Sequence, residues 1–225
     1  MDLLCSRGTV WPPAMRALAG LSFAFPFVWF AAPAAATEED TQFRLASGIA
    51  VTLSERFTAH VEPQHRWRAE GDLFELRTAL DYAVNDWLTL TGAVVYTEQD
   101  PADDIRLQQQ ATLTFGPVAF RSRVEQRWYD RGDRPVIRLR QRVQFTQPIT
   151  PRARAAISAE LLYIARPQER GQRERVDQVR IEATLAQRLS DTFEAGIGYR
   201  GVFIPRAGQS DRISHTPQVT LNWRL

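Results

Sequence analysis

The fold turns on the run Val118-Ala119-Phe120-Arg121-Ser122-Arg123-Val124-Glu125-Gln126-Arg127-Trp128 and, after a polar gap, Ile137-Arg138-Leu139-Arg140-Gln141-Arg142-Val143-Gln144-Phe145. In both runs apolar and polar residues alternate with a period of two, which places them on opposite faces of an extended strand. One face is aliphatic and aromatic; the other is crowded with guanidinium groups. A helical stripe would recur every three to four residues, and none does here.

Outward from these runs the same alternation reaches almost to both ends of the chain. Phe43, Leu45, Ile49, Val51, Leu53 and Phe57 face one way, with Arg44, Thr52, Ser54 and Arg56 between them. Further alternating runs carry Phe74 to Val84, Leu88 to Tyr96, Ile105 to Phe115, Ile157 to Tyr163, Val179 to Leu189, Phe193 to Phe203 and finally Val219 to Leu225. The connections alternate in length. Asn85-Asp86, Gly116-Pro117, Pro148 to Pro151 and Ser190-Asp191 are short, whereas Glu98 to Asp104, Asp130 to Pro135, Arg166 to Val176 and Ile204 to Ile213 are longer and polar. Long two-faced strands with short turns on one side and long loops on the other predict an all-β, antiparallel transmembrane β-barrel of 10–12 strands, outer-membrane type. Trp67, Trp87, Tyr96, Trp128, Tyr163, Tyr199 and Trp223 lie near strand ends, where interfacial girdles belong. A soluble sandwich or lipocalin-like barrel also alternates, but its strands are shorter and its apolar face serves a core. About eleven strands can be counted. Because single-chain bacterial barrels carry an even number, the expectation is ten or twelve, with the region Phe43 to Trp67 the place where the count is adjusted.

The 225 residues include 28 basic and 26 acidic ones, and every basic side chain is arginine. Lysine chemistry, including Schiff bases and phosphate-loop lysines, is therefore excluded. Scattered rather than blocked basic charge disfavours a nucleic-acid partner. Arg16 precedes a stretch without charge, Ala17 to Ala36, that ends Ala34-Ala35-Ala36 and is followed by Glu38-Glu39-Asp40. This pattern predicts a signal peptide over residues 1–36, a true start at Met15, and a barrel domain over 37–225 exported to the bacterial outer membrane. Cys5, the only cysteine, is lost with that segment, so disulfides and thiolate chemistry are not expected.

Several segments resemble a known family. Leu53-Ser54-Glu55-Arg56-Phe57, His65-Arg66-Trp67-Arg68 and Leu80-Asp81-Tyr82-Ala83-Val84-Asn85-Asp86-Trp87-Leu88 are similar to the bacterial outer-membrane family catalogued as domain of unknown function 2490. So are Arg121 to Arg127, Arg138 to Val143, and Glu182. The resemblance covers essentially the whole exported chain and implies an outer-membrane barrel with no established activity. Leu225 departs from the terminal phenylalanine common in outer-membrane barrels, and Pro217 interrupts the last strand.

Function rests on the inward face. The alternation turns Arg121, Arg123, Arg127, Arg138, Arg140, Arg142, Arg152, Arg154, Arg180 and Arg188 into the lumen, with only Glu125, Glu160 and Glu182 beside them. The other half, with Glu62, Arg66, Glu75, Arg77, Asp81 and Glu194, is near balance. Arginine-lined walls suit anions, since guanidinium stays charged and offers planar donors to carboxylate and phosphate. The reading is a porin-like, narrow passive channel or binding barrel for small anionic solutes, with Arg121, Arg123, Arg127, Arg138, Arg140, Arg142, Arg152, Arg154 and Arg180 facing the anion. The competing reading is a closed structural or lipopolysaccharide-interacting barrel in which arginines and glutamates cross-brace the interior. Expected partners are outer-membrane lipid, lipopolysaccharide at the loop arginines Arg131, Arg134, Arg166, Arg170, Arg173 and Arg175, and the barrel-assembly machinery during biogenesis. No enzyme, cofactor or metal site is read. His60, His65 and His215 are isolated; Glu62 lies in phase to orient His60, and Ser214 and His215 point to opposite faces.

Overall fold

The computed structural model describes residues 37–130, 132 and 134–225; the expected signal segment, Arg131 and Asp133 lie outside the described residues. Twelve strands follow one another: β1 (Glu38–Thr41), β2 (Phe43–Thr52), β3 (Phe57–Trp67), β4 (Leu73–Asn85), β5 (Leu88–Gln99), β6 (Asp104–Phe115), β7 (Val118–Tyr129), β8 (Val136–Thr150), β9 (Ala153–Arg166), β10 (Arg175–Arg188), β11 (Phe193–Ile204) and β12 (Arg212–Arg224). From β2 to β12 each strand pairs antiparallel with the next. The sheet then closes on itself through β12 and β2.

The closing pair is parallel. Gln218 faces Arg44 and Arg224 faces Ala50, while β1 continues the same seam with Glu38 against Arg212 and Thr41 against His215. The barrel therefore has eleven strands around its wall, and the expectation of ten or twelve is corrected. With an odd number, the first and last strands run in the same direction, so only parallel hydrogen bonds can remove the two edges. The region Phe43 to Trp67 forms two full strands, β2 and β3, joined by a turn at 53–56.

Local chemistry sets the short-turn end. Asn85 Oδ1 accepts from the Trp87 and Leu88 amides at 3.1 and 2.8 Å. Ser54, Thr150 and Ser190 side-chain oxygens accept in the same way from amides two and three residues on. Such side-chain-to-backbone bonds mimic a turn before the chain reverses. Gly116, with φ +56°, supplies the fifth reversal in a conformation that favours glycine. The opposite end carries the connections 68–72, 100–103, 130–135, 167–174 and 205–211, all but 100–103 longer than any turn at the first end.

Outward positions are large, apolar and exposed, among them Ile105, Val94, Ile157, Ile181 and Ile197. Burial is found inside the barrel, and mainly in its long-loop half. Val95, Thr97, Glu125 and Leu162 are wholly buried, and Leu73, Asp104, Val136, Ile164, Val202, Ser214 and Thr216 nearly so. Inward residues of the short-turn half, such as Asp81, Thr112, Arg142, Thr184 and Asn222, are half-buried. The lumen is thus packed at one end and open at the other.

Candidate functional site: an arginine-lined cavity

The lumen encloses a cavity of about 430 Å³, lined from both halves of the barrel. Its lining contains eleven arginines (Arg44, Arg66, Arg77, Arg106, Arg121, Arg123, Arg138, Arg140, Arg142, Arg180 and Arg200) against five carboxylates (Glu62, Glu75, Asp81, Glu160 and Glu182). Every one of these side chains reaches the cavity because it occupies the inward phase of its strand. Room on the seam side comes from inward-facing small residues. A Cβ added at Gly198 would lie 2.8 Å from the Ala183 carbonyl oxygen and 2.9 Å from Gln218 Nε2, and one at Gly48 would lie 2.9 Å from Asn222 Oδ1.

The floor is an ion-pair lattice set among buried apolar residues. Glu125 accepts from Arg138 at 2.6 Å, Arg140 at 2.7 Å and Gln108 at 3.0 Å, with Arg123 at 3.6 Å. Arg140 also bonds Glu160 at 2.7 Å, which Arg121 reaches at 2.6 Å and Arg180 approaches at 3.7 Å. Asp104 holds Arg106 at 2.5 Å and Arg127 at 2.7 Å, and Arg106 continues to Glu75 at 2.8 Å. Beyond this layer a second cavity of about 250 Å³ opens among the long loops, lined by Arg127, Tyr129, Arg175 and Asp177 among others. Arg138 lines both cavities and spans the layer, donating to Glu125 on one side and Asp177 at 3.0 Å on the other.

Of the arginines read from the sequence as anion-facing, Arg121, Arg123, Arg138, Arg140, Arg142 and Arg180 line the larger cavity. Arg127 belongs to the floor and the loop-side cavity, and Arg154 pairs with Glu194 at 2.6 Å, its side chain 42% exposed. Arg152 is corrected: it sits exposed in the two-residue turn between β8 and β9, off the strand wall, and its carbonyl accepts from the Arg188 amide. The sequence reading missed Arg44, Arg106 and Arg200, although each occupies the inward phase between outward apolar neighbours. It also missed two counter-charges: Asp104, which was assigned to a loop, and Asp177, which fell between the loop Arg166 to Val176 and the run from Val179. Arg134 and Arg166 are engaged in loop-to-loop bonds, with the carbonyls of Pro167 and Glu169 and of Pro135 respectively.

His60 lines the cavity, but its partner is Asp81 on β4 at 3.0 Å, not Glu62, which bonds Arg77 at 2.8 Å. Thr91 donates to the other Asp81 oxygen at 2.6 Å. His65 bonds Asp72 at 3.0 Å outside the lumen, and His215 Nδ1 pairs with the Tyr199 hydroxyl on the outer face.

No curated protein matches this chain. A solved chain from work described as "Unveiling the Mechanism Behind the in-meso Crystallization of Membrane Proteins" is 15% identical, covering 76% of this chain and 77% of its own, with a TM-score of 0.43. That likeness is too loose to carry an argument. A family model described as "Protein of unknown function (DUF2490)" matches residues 42–213, which take in the chain from the start of the seam strand to the first residues of the last one. The match spans well over half of the chain, and the chain belongs to this family of unknown function.

Proposed function

We propose that the protein is an outer-membrane β-barrel of the Gram-negative envelope that binds small, water-soluble anions in a blind cavity entered from the short-turn end. The observation that carries this reading is the excess of arginine over carboxylate around a cavity of about 430 Å³ whose floor is buried side chains. A guanidinium in a confined space without a counter-charge is costly, and an anion removes that cost. The lining is mainly polar, which suits a hydrophilic solute better than an acyl chain.

Membrane residence is supported by the outward apolar face and by two rings of aromatics. Phe43 and Trp67, together with Tyr96, Trp128 and Tyr199, mark the long-loop end. Phe57 with Tyr82, Trp87 with Phe115, and Phe193 with Trp223 mark the short-turn end. From Phe57 to Trp67 the strand rises about 33 Å, or about 25 Å along the axis at the usual tilt of ~40°, which matches the apolar band of such barrels. A closed sheet leaves no backbone edge for lipid to satisfy. On this reading the short turns face the periplasm. Arg170 and Arg173 on the exposed long loop and Arg175 at the start of β10 then meet lipopolysaccharide phosphates, and the barrel-assembly machinery inserts the chain.

The buried floor favours binding over a permanently open channel. His60, the histidine in the cavity, bonds the Asp81 carboxylate at 3.0 Å. The reading is tested by thermal unfolding of the protein in detergent with glucuronate or glucose, which differ in the carboxylate. Glucuronate is expected to raise the midpoint and glucose to leave it in place; equal effects would contradict the proposal.

A further inference from the structure

Four pairs of arginines stand directly opposite each other across neighbouring strands: Arg106 with Arg127, Arg123 with Arg140, Arg121 with Arg142, and Arg44 with Arg66. Like charges in register repel. In two pairs the protein supplies the remedy. Asp104 bonds both Arg106 and Arg127, and Glu125 lies against both Arg123 and Arg140. In the third, Glu160 serves Arg121, while among the described residues Arg142 bonds only the Gln144 amide oxygen at 2.6 Å.

The fourth pair bonds no carboxylate among the described residues. Arg44 is held by two amide oxygens, Gln64 Oε1 at 2.6 Å and Gln218 Oε1 at 2.8 Å. Arg66 makes no side-chain hydrogen bond or ion pair to any described residue, and its Nε is buried without a partner. Among the described residues four other arginines have a buried, unpartnered Nε, namely Arg121, Arg127, Arg142 and Arg212, and each of those has another guanidinium nitrogen bonded. Glu75, two positions away on the partner of β3, is already bonded to Arg106. Both Arg44 and Arg66 line the cavity.

We infer that Arg44 and Arg66 form the oxyanion subsite of the cavity, where the carboxylate or phosphate of a bound solute takes the place that Asp104 and Glu125 fill between the other arginine pairs. This rests on the anion-binding reading above and narrows it to one wall. The paired guanidiniums present planar donors from two strands to one tetrahedral or planar oxyanion. Gln64 and Gln218 orient Arg44 by accepting from it, which leaves its remaining N–H groups for the ligand.

The test is titration calorimetry on the protein in detergent with inorganic phosphate, glucuronate and glucose, for the wild type and three variants. Arg66→Gln is expected to weaken phosphate and glucuronate about tenfold or more while raising ligand-free stability, since a guanidinium that faces Arg44 and bonds no carboxylate is removed. Gln64→Glu places a carboxylate on Arg44 from within and is expected to abolish binding while also stabilising the empty barrel. Arg152→Gln removes the same charge from an exposed turn and is expected to bind as the wild type does. If the wild type binds anions and all three variants match it, the Arg44–Arg66 subsite is wrong and anion binding elsewhere in the cavity stands. If the folded wild type binds neither phosphate nor glucuronate, the subsite and the functional reading fall together.

Discussion

Glu125 is the residue on which the closed half of the barrel depends. It is wholly buried, and three arginines and a glutamine converge on it. Replacing it leaves Arg138, Arg140 and Arg123 facing one another in a confined space. Breaking a buried ion pair from one side typically costs about 3–5 kcal/mol. Glu125→Gln is therefore expected to lower the stability of the refolded barrel to urea by an amount in that range, and a change below about 1 kcal/mol would show the lattice to be dispensable. The inward phase of these arginines was legible in the sequence, because a period of two assigns each side chain to a face. Their partners were not. Arg121 finds Glu160 two strands away, and His60 finds Asp81 on the neighbouring strand in place of Glu62 on its own. Such pairings depend on the stagger between strands, which alternation alone leaves undetermined. Arg152 was misplaced for a related reason, since the run of alternation continues in the sequence through a turn that the backbone makes.

At the scale of elements, the parallel seam is the distinctive feature. Odd-numbered residues of β12 and the chain end turn their backbone groups to it: the His215 carbonyl accepts from the Gln42 amide, and the Leu225 amide donates to the Ala50 carbonyl. Pro217 falls between the two paired stretches, His215 with Thr41 and Gln218 with Arg44, so its missing N–H coincides with an interruption already present in the seam. The seam makes a direct prediction. Leu45 and Val219 are in register across it, and the chain beyond Cys5 has no cysteine. Leu45→Cys combined with Val219→Cys is expected to form an intramolecular disulfide on mild oxidation, seen as a mobility shift that a reductant reverses. Failure of that pair to cross-link in the folded barrel would reject the parallel closure. Eleven strands were countable from the sequence. Parity misled because the even-number rule describes most such barrels without being imposed by hydrogen bonding, which a parallel seam satisfies equally.

For the whole molecule, one gradient matters most: inward residues are buried toward the long loops and half-exposed toward the short turns. The alternation of turn lengths and the apolar outer face are legible in the order of residues alone. The floor is not, since Leu162, Val95, Leu73 and Val202 lie in the same inward phase as the arginines, and only the folded structure shows that these inward positions are buried. Binding and conduction are thereby separated, because arginine content alone fits both. The most direct test is single-channel recording of the wild-type barrel in a planar bilayer under a salt gradient, with folding and insertion established by heat-modifiable migration. Inserted protein that still binds glucuronate in solution is expected to give no steady conductance. Stable, anion-selective steps from the unmodified barrel would contradict the closed floor and return the arginines to the walls of an open pore.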